Sequence, residues 1–305
     1  MKILIVANYN KGMFSPFVLE QVEALKKLGV KFELFGIVGK GAIGYLRNLS
    51  MLKRRIAKFK PDLIHAHYGL SGLLANLQRV IPVVTTFHGS DVHSGGFILR
   101  LSKIVGWMSK YNIFVTSRLK EIANFTGVNS EVIPCGVDED RFIPIDKDFA
   151  RKQLGWSLEK KYVLFSGSFS NAVKNPELAQ KAIEKVPKTI LIEMQGLSRE
   201  EVVYVMNASD CLLMTSHREG SPMVIKEAMA CGIPIVSVNV GDVKEIIGNT
   251  KGCYIAKYDA EDIASKIKWS LKFQNRTNGR VRIFELKLSS DLVAQKILNI
   301  YKQNI

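Results

Sequence analysis

The sequence predicts an α/β protein made of two doubly wound, Rossmann-like domains facing across a cleft. Three observations carry that prediction. Strand-sized apolar runs alternate with helical patterns through the first third of the chain. The alternation restarts near residue 161. Between the halves, Val137–Lys161 is rich in charge, contains Pro144 and has no clear period, so it reads as a linker.

The elements follow in order. Lys2–Ala7 is a short apolar strand. Ser15–Leu28 has helical periodicity through Phe17, Val18, Val22 and Leu25 and stops at Gly29. Lys31–Gly36 is the next strand, and Leu46–Phe59 is a helix ended by Pro61. Leu63–Ala66 and Val83–Phe87 are strands again. In the second half the strands are Tyr162–Phe165, Ile190–Met194, Cys211–Thr215 and Ile235–Val238. The helices between them are Pro176–Val186, Arg199–Met206 and Pro222–Cys231. A final helix, Asp291–Gln303, follows a polar stretch. The expected domains are 1–150 and 151–288, with a C-terminal helix at 289–305 that packs back on the first domain.

Composition narrows the function. The 305 residues are 47% hydrophobic and 23% charged, a globular profile. No apolar run approaches the ~20 residues that span a bilayer. Met1–Ala7 reads as a strand rather than a signal peptide, since polar Asn8-Tyr9-Asn10 follows too early. A cytoplasmic protein is the expectation. The four cysteines are scattered without a C-x-x-C pair, which suggests neither zinc nor a redox motif. The net charge is +15, and Lys40 to Lys120 holds thirteen Lys/Arg against only Asp62 and Asp91. Such a surface favours anionic partners: lipid headgroups, phosphates or nucleic acid. Nucleic acid is set aside, because aromatic interleaving is thin and no helix-turn-helix, RNA-recognition or zinc-finger pattern occurs. No G-x-G-x-x-G follows either opening strand, against a standard dinucleotide site.

The densest chemistry lies in Ser216–Pro234. Ser221 suits an N-cap, Pro222 the first helical position and Gly232 the position past the helix end. The helix start then follows a strand, where free N–H groups and the positive dipole end favour a diphosphate. Glu219 precedes the helix. Glu227 lies five residues beyond Pro222, about 7–8 Å further along the axis. Two carboxylates so spaced can grip sugar and ribose hydroxyls. Spacing alone does not distinguish them from two ordinary surface glutamates.

This stretch resembles the motif of two glutamates separated by seven residues in retaining glycosyltransferases of family 4, which have the GT-B fold. The resemblance extends through Pro61–His67, Thr86–Asp91, Val132–Asp138 with Phe142, and Asn207–Asp210. The run Glu219–Cys231 with Val240–Val243 is similar to the teichuronic-acid and surface-polysaccharide branch of that family. It implies that Glu219 and His88 are catalytic, with Glu219 orienting the donor sugar. It implies that Glu227 holds the ribose and that Lys174 neutralises the diphosphate. Gly167, Ser168 and the backbone of Gly220, Ser221, Pro222, Met223 and Val224 would complete the donor site. Gly12, His67 and Asp91 would lie on the acceptor side. The implied donor is a nucleotide-diphosphate sugar, with UDP favoured, and the reaction needs no metal or other cofactor. The family's usual Gly-Arg reads Gly167-Ser168 here, which removes one phosphate cation; Arg218 is a substitute to consider.

Other clusters carry less. His65 and His67 have no third metal ligand nearby, and Asp138-Glu-Asp140 sits in the linker rather than after a central strand. The segment Tyr45–Phe59 carries Tyr45, Leu49, Leu52, Ile56 and Phe59 on one stripe, with Arg47, Lys53, Arg54, Arg55, Lys58 and the following Lys60 around it. That is a helix packed on its sheet with a solvated basic face, or one attracted to an anionic membrane at about 1 kcal/mol per basic residue. Phe97–Met108 adds apolar bulk with Arg100 and Lys103. The acceptor expected is a glycan or polyprenyl-linked molecule, and the enzyme a peripheral one on the inner face of the plasma membrane. A nucleotide-sugar epimerase of the same fold and a non-catalytic nucleotide-sugar or anionic-surface binder are the alternatives.

Overall fold

The computed structural model describes every residue except Asn10, Lys11 and Ser94, and the side chain of Ala42. The chain forms two compact units. One is Met1–Gly136 with Ser290–Ile305, the other Val137–Ser289.

Among the described residues the first unit holds six parallel strands in the order β2-β1-β3-β4-β5-β6. They are β1 Lys2–Asn8, β2 Lys31–Ile37, β3 Leu63–His67, β4 Val83–Phe87, β5 Tyr111–Phe114 and β6 Ser130–Val132. Parallel strands need crossover connections that cover both faces of the sheet, so central strands read as unbroken apolar runs. Ile3 to Val6 are accordingly fully buried. Ile3 and Ile5 meet Val18, Val22 and Leu25 of the helix Pro16–Lys27. Leu4 and Val6 pack on the opposite face with Tyr45 and Leu52. The terminal helix Ser290–Asn304 adds Val293, Ile297 and Tyr301 to the first of these faces.

The second unit holds five parallel strands in the order β11-β10-β9-β7-β8. They are β7 Lys161–Phe165, β8 Thr189–Glu193, β9 Cys211–Met214, β10 Ile235–Val238 and β11 Cys253–Ala256. Strands β7, β9 and β10 are buried over nearly their whole length, whereas β8 lies at an edge and is half-buried.

Three expectations need correction. Residues 137–150, assigned by sequence to the first domain, belong to the second unit. The supposed linker also contains a helix, Lys147–Leu154, capped by the Asp146 carboxylate on the Phe149 amide at 2.8 Å. The Asn207-Ala-Ser-Asp210 motif explains the attachment. Asn207 accepts from the Ile145 amide at 2.8 Å and donates to the Ile143 carbonyl at 3.1 Å. Asp210 accepts from Arg151 Nη2 at 2.7 Å, Lys147 Nζ at 2.9 Å and the Tyr162 amide at 2.9 Å. Burial works against the Asp210 charge, but these partners hold its carboxyl below the usual range.

The other two corrections concern helices. The helix read over Leu46–Phe59 is two, Gly41–Leu46 and Leu49–Phe59. Buried Asn48 sits at the break and donates to the carbonyls of Val38 and Gly44 at 3.0 and 2.9 Å. A side chain that satisfies backbone groups outside its own helix interrupts the period. The helix expected from Pro222 begins at Met223, with Pro222 in the N-cap position.

Arg151 has only 2% of its side chain exposed, so removing Asp210 leaves a buried, unpaired guanidinium. Asp210→Ala is expected to lower unfolding stability by about 3–5 kcal/mol in urea titration. A change within about 0.5 kcal/mol, typical of a surface substitution, would contradict this account of the motif.

Candidate functional site

In the second sheet the chain passes from β7 to β8 on one side, then crosses to β9 on the other, so the loops after β7 and β9 diverge and leave a crevice beyond their carboxyl ends. Phe165 of β7 is in register with Leu213 of β9, which brings Gly167-Ser168 beside the loop leading to Glu219.

Lys174 ends a short 3-10 turn, Ala172–Lys174, and its backbone is firmly held. The Asn171 side chain accepts from the Val173 amide at 3.1 Å. Thr215 Oγ1 donates to the carbonyls of Lys174 and Asn175, both at 2.9 Å. Its side chain crosses Gly167 so closely that a Cβ there would lie 2.7 Å from Lys174 Cγ. Glycine at 167 is therefore the residue that lets the lysine reach across. Lys174 Nζ ends 2.7 Å from Glu219 Oε1, both side chains half-buried. The two residues expected to meet the phosphate and the sugar are thus each other's counterions.

Ser168, where the resemblance leads one to expect arginine, hydrogen-bonds Gln195 and Ser170. Arg218 is exposed and forms no ion pair among the described residues. Lys174 is the cation that the structure places at this edge.

The loop Glu219–Pro222 has no secondary structure of its own and is braced from two sides. Ser221 does not cap the helix Met223–Cys231. Its Oγ donates to Asp242 Oδ2 at 2.6 Å and accepts from Lys226 Nζ at 2.7 Å. Lys226 is fully buried, and burial raises the Asp242 carboxyl against the opposing pull of Lys226 and Ser221. Gly241, at φ 58°, approaches so closely that a Cβ would lie 2.4 Å from the Gly220 carbonyl oxygen. The N-cap residue Pro222 offers no side-chain cap and the Ile225 amide donates to the Pro222 carbonyl at 3.3 Å, which leaves the Met223 and Val224 amides to meet an anion. Met223 and Val224, in that turn, pack against the core of the unit.

Glu227 is buried on the same helix and accepts from Arg199 Nη2 at 2.6 Å. The Arg199 guanidinium lies 4.9 Å from the Phe142 ring centroid. Sequence reading missed Arg199, Lys226 and Asp242. Lys226 directly precedes the motif glutamate, and a lysine among apolar helix residues was the available signal.

The first unit gathers a second group. Pairing of β3 with β4 sets His67 beside Thr86, and the chain then turns at His88. His65 and His67 stack at 4.5 Å, and His67 and His88 at 5.3 Å. His67 Nδ1 lies 3.0 Å from His88 Nε2. His65 meets Tyr301 at 2.6 Å and Thr86 at 2.7 Å. Asp91 accepts from the amides of Gly89, His88 and Gly69 at 2.8, 3.3 and 3.2 Å, so it shapes the loop that carries His88. Tyr68 holds φ 73° and ψ 152°, a conformation that costs a non-glycine residue roughly 1–3 kcal/mol. Such strain concentrates at functional sites.

The three residues assigned to the acceptor side separate here. Gly12 follows β1, with φ 71° and its amide donating to the Tyr9 carbonyl at 3.0 Å. Asp91 borders a cavity of about 780 Å³, shared with Met13, Phe14, Tyr45, Tyr68 and Leu101. His67 has no accessible surface, so it faces His88 rather than an acceptor.

Comparison with known proteins agrees with this architecture. The family described as Glycosyltransferase Family 4 matches residues 28–141, and that described as Glycosyl transferases group 1 matches residues 191–282. The chain is 27% identical over 236 residues to the teichuronic acid biosynthesis glycosyltransferase TuaC of Bacillus subtilis (strain 168). That match spans 68% of this chain and 60% of the relative's length. Sucrose-phosphate synthase from Thermosynechococcus elongatus superposes with a TM-score of 0.85 at 19% identity, covering 99% of this chain and 98% of that one. Anabaena HepE in complex with UDP-glucose gives 0.78 at 16% identity, covering 99% and 100%.

The histidines make stability sensitive to acid. Burial lowers His67 from 6.5 to about 3 and lowers His65 well below 6.5. A lowered folded pKa contributes stability above the unfolded value, which is lost as pH falls below about 6.5. Asp91, raised by burial to about 6, acts oppositely and offsets part of the loss below pH 6. The unfolding temperature is expected to drop from pH 7 to pH 5, and His67→Gln to flatten that drop. Parallel profiles for the two proteins would contradict the assignment.

Proposed function

We propose that this chain, a glycosyltransferase of the family 4 type, moves a sugar from a UDP-sugar to a glycan or polyprenyl-linked acceptor in cell-surface polysaccharide synthesis, with retention of anomeric configuration. The observation that carries the proposal is the Lys174–Glu219 pair beside the uncapped start of the helix Met223–Cys231. Negative charge grows on the leaving diphosphate as the glycosidic bond breaks, so fixed positive groups there stabilise the transition state more than the ground state. Lys174 and the helix amides supply them. Glu219 then orients the sugar, Glu227 takes the ribose hydroxyls, and His88 takes part in transfer. The UDP-glucose complex of a protein of similar fold supports a uridine donor. The reaction is proposed to run without a metal.

The first unit is proposed to receive the acceptor. Its cavity is bordered mostly by apolar side chains. The helix Gly96–Met108, which contributes Leu101 to that cavity, leaves Phe97, Ile104 and Trp107 exposed beside Arg100 and Lys103. The helix Leu49–Phe59 exposes Lys53, Arg54 and Lys58. No helix among the described residues is long and apolar enough to cross a membrane. Apolar side chains with flanking cations suit a peripheral contact with anionic lipid.

Glu219→Ala and His88→Ala are expected to lower kcat roughly a hundredfold or more. Glu227→Ala should chiefly weaken donor binding, by about tenfold. Near-normal kinetics in all three would remove the proposed site, and product formed without any acceptor would point to epimerisation instead. In cosedimentation, vesicles containing anionic lipid should retain the protein at low salt and release it at high salt. Failure to bind at low salt would end the peripheral-membrane reading.

A further inference from the structure

We propose that His67 is a positioning residue that fixes His88 as a neutral imidazole with its proton on Nδ1. The inference rests on the reading of His88 as a transfer residue and adds how that residue is kept in one chemical form.

His67 is fully buried, and its two ring nitrogens differ. Nδ1 lies 3.0 Å from His88 Nε2, while buried Nε2 has no hydrogen-bond partner among the described residues. A neutral imidazole carries one proton. On Nε2 it would be a buried N–H without an acceptor, which native proteins rarely tolerate; a bare ring nitrogen is the smaller loss. The proton therefore sits on Nδ1 and is donated to His88 Nε2. His88 must then accept at Nε2, so in its neutral form its own proton is on Nδ1.

The hydrogen bond from His67 opposes a second proton on His88. Protonating Nε2 would set two N–H groups against each other, unless His67 moved its proton to the orphaned nitrogen. A cation at His67 is equally disfavoured, since burial drives its pKa to about 3. His65 is stacked behind it, and its other contacts are Tyr301, Thr86 and, at 3.5 Å, Gln21. Among the groups that face His88 are Tyr68 and Phe17, with rings at 4.7 and 4.6 Å, Cys135 Sγ at 3.9 Å from Nδ1, and Asp91, which accepts from the His88 amide. Of these only Asp91 would favour an imidazolium, and burial lifts its carboxyl to about 6. In this arrangement neutral His88 is an N–H donor at Nδ1, able to hydrogen-bond a sugar or phosphate oxygen without exchanging its proton.

The test combines histidine 15N NMR on the ligand-free protein with pH–rate profiles of the wild type, His67→Ala and His67→Gln. Gln can still donate to His88 Nε2 through its amide. In the wild type, His88 should show protonated Nδ1 and bare Nε2 and should not titrate near 6.5. Its pH–rate profile should lack a histidine limb. His67→Ala should let His88 titrate near 6.5, with activity falling below that pH and kcat down roughly tenfold to a hundredfold, in line with a misplaced catalytic group. Donor KM should stay within about twofold. His67→Gln should restore the tautomer and most of kcat. A wild-type His88 protonated at Nε2, or unchanged His88 shifts in folded His67→Ala, would overturn the inference. Full turnover by His88→Ala would instead remove the underlying role of His88, while the NMR arm still decides the hydrogen bond.

Discussion

Every strand of both sheets runs parallel to its neighbours, and that constraint determines where chemistry can occur. A parallel strand cannot return through a hairpin, so each must be followed by a crossover, and all carboxyl ends collect along one edge. His67 and His88 reach such an edge in the first unit, and Gly167, Lys174 and Glu219 in the second. The side chains come from segments far apart in sequence, yet strand register alone brings their loops together. What remains is to hold those loops still, and most of the unusual polar features do that.

In the second unit the bracing is electrostatic and steric together. Lys174 passes over Gly167 to Glu219, Gly241 abuts Gly220, and Ser221 is held between Asp242 and buried Lys226. A buried lysine is tolerated only with such partners, and those partners fix the loop that precedes the helix. In the first unit the bracing is a stack of histidines, tied through His65 to Tyr301 of the terminal helix.

The parts of this arrangement that follow from period and punctuation were legible in the sequence. The apolar runs of β1, β4 and β9, the stop at Gly29, the left-handed Gly232 and the terminal helix all have local causes. What escaped depends on contacts made at long range. The helix Lys147–Leu154 looked like linker because its buried residue is an arginine, and Arg151 is an interior residue only because Asp210 waits for it. Ser221 has the composition of an N-cap but is claimed by Asp242. His67 read as an acceptor contact because nothing in its neighbours reveals that a helix and two more histidines cover it.

The proposed donor site, built on one firmly held lysine and one helix start without a side-chain N-cap, makes a direct demand on binding. The most direct measurement is calorimetric titration of UDP and other nucleoside diphosphates into the wild-type chain and into Lys174→Ala. At least one diphosphate should bind the wild type well, with the loss of a cation at a phosphate weakening it about tenfold or more. A Lys174→Ala protein that binds as tightly as the wild type, or a wild type that binds no nucleoside diphosphate, would contradict the placement of the donor at this edge.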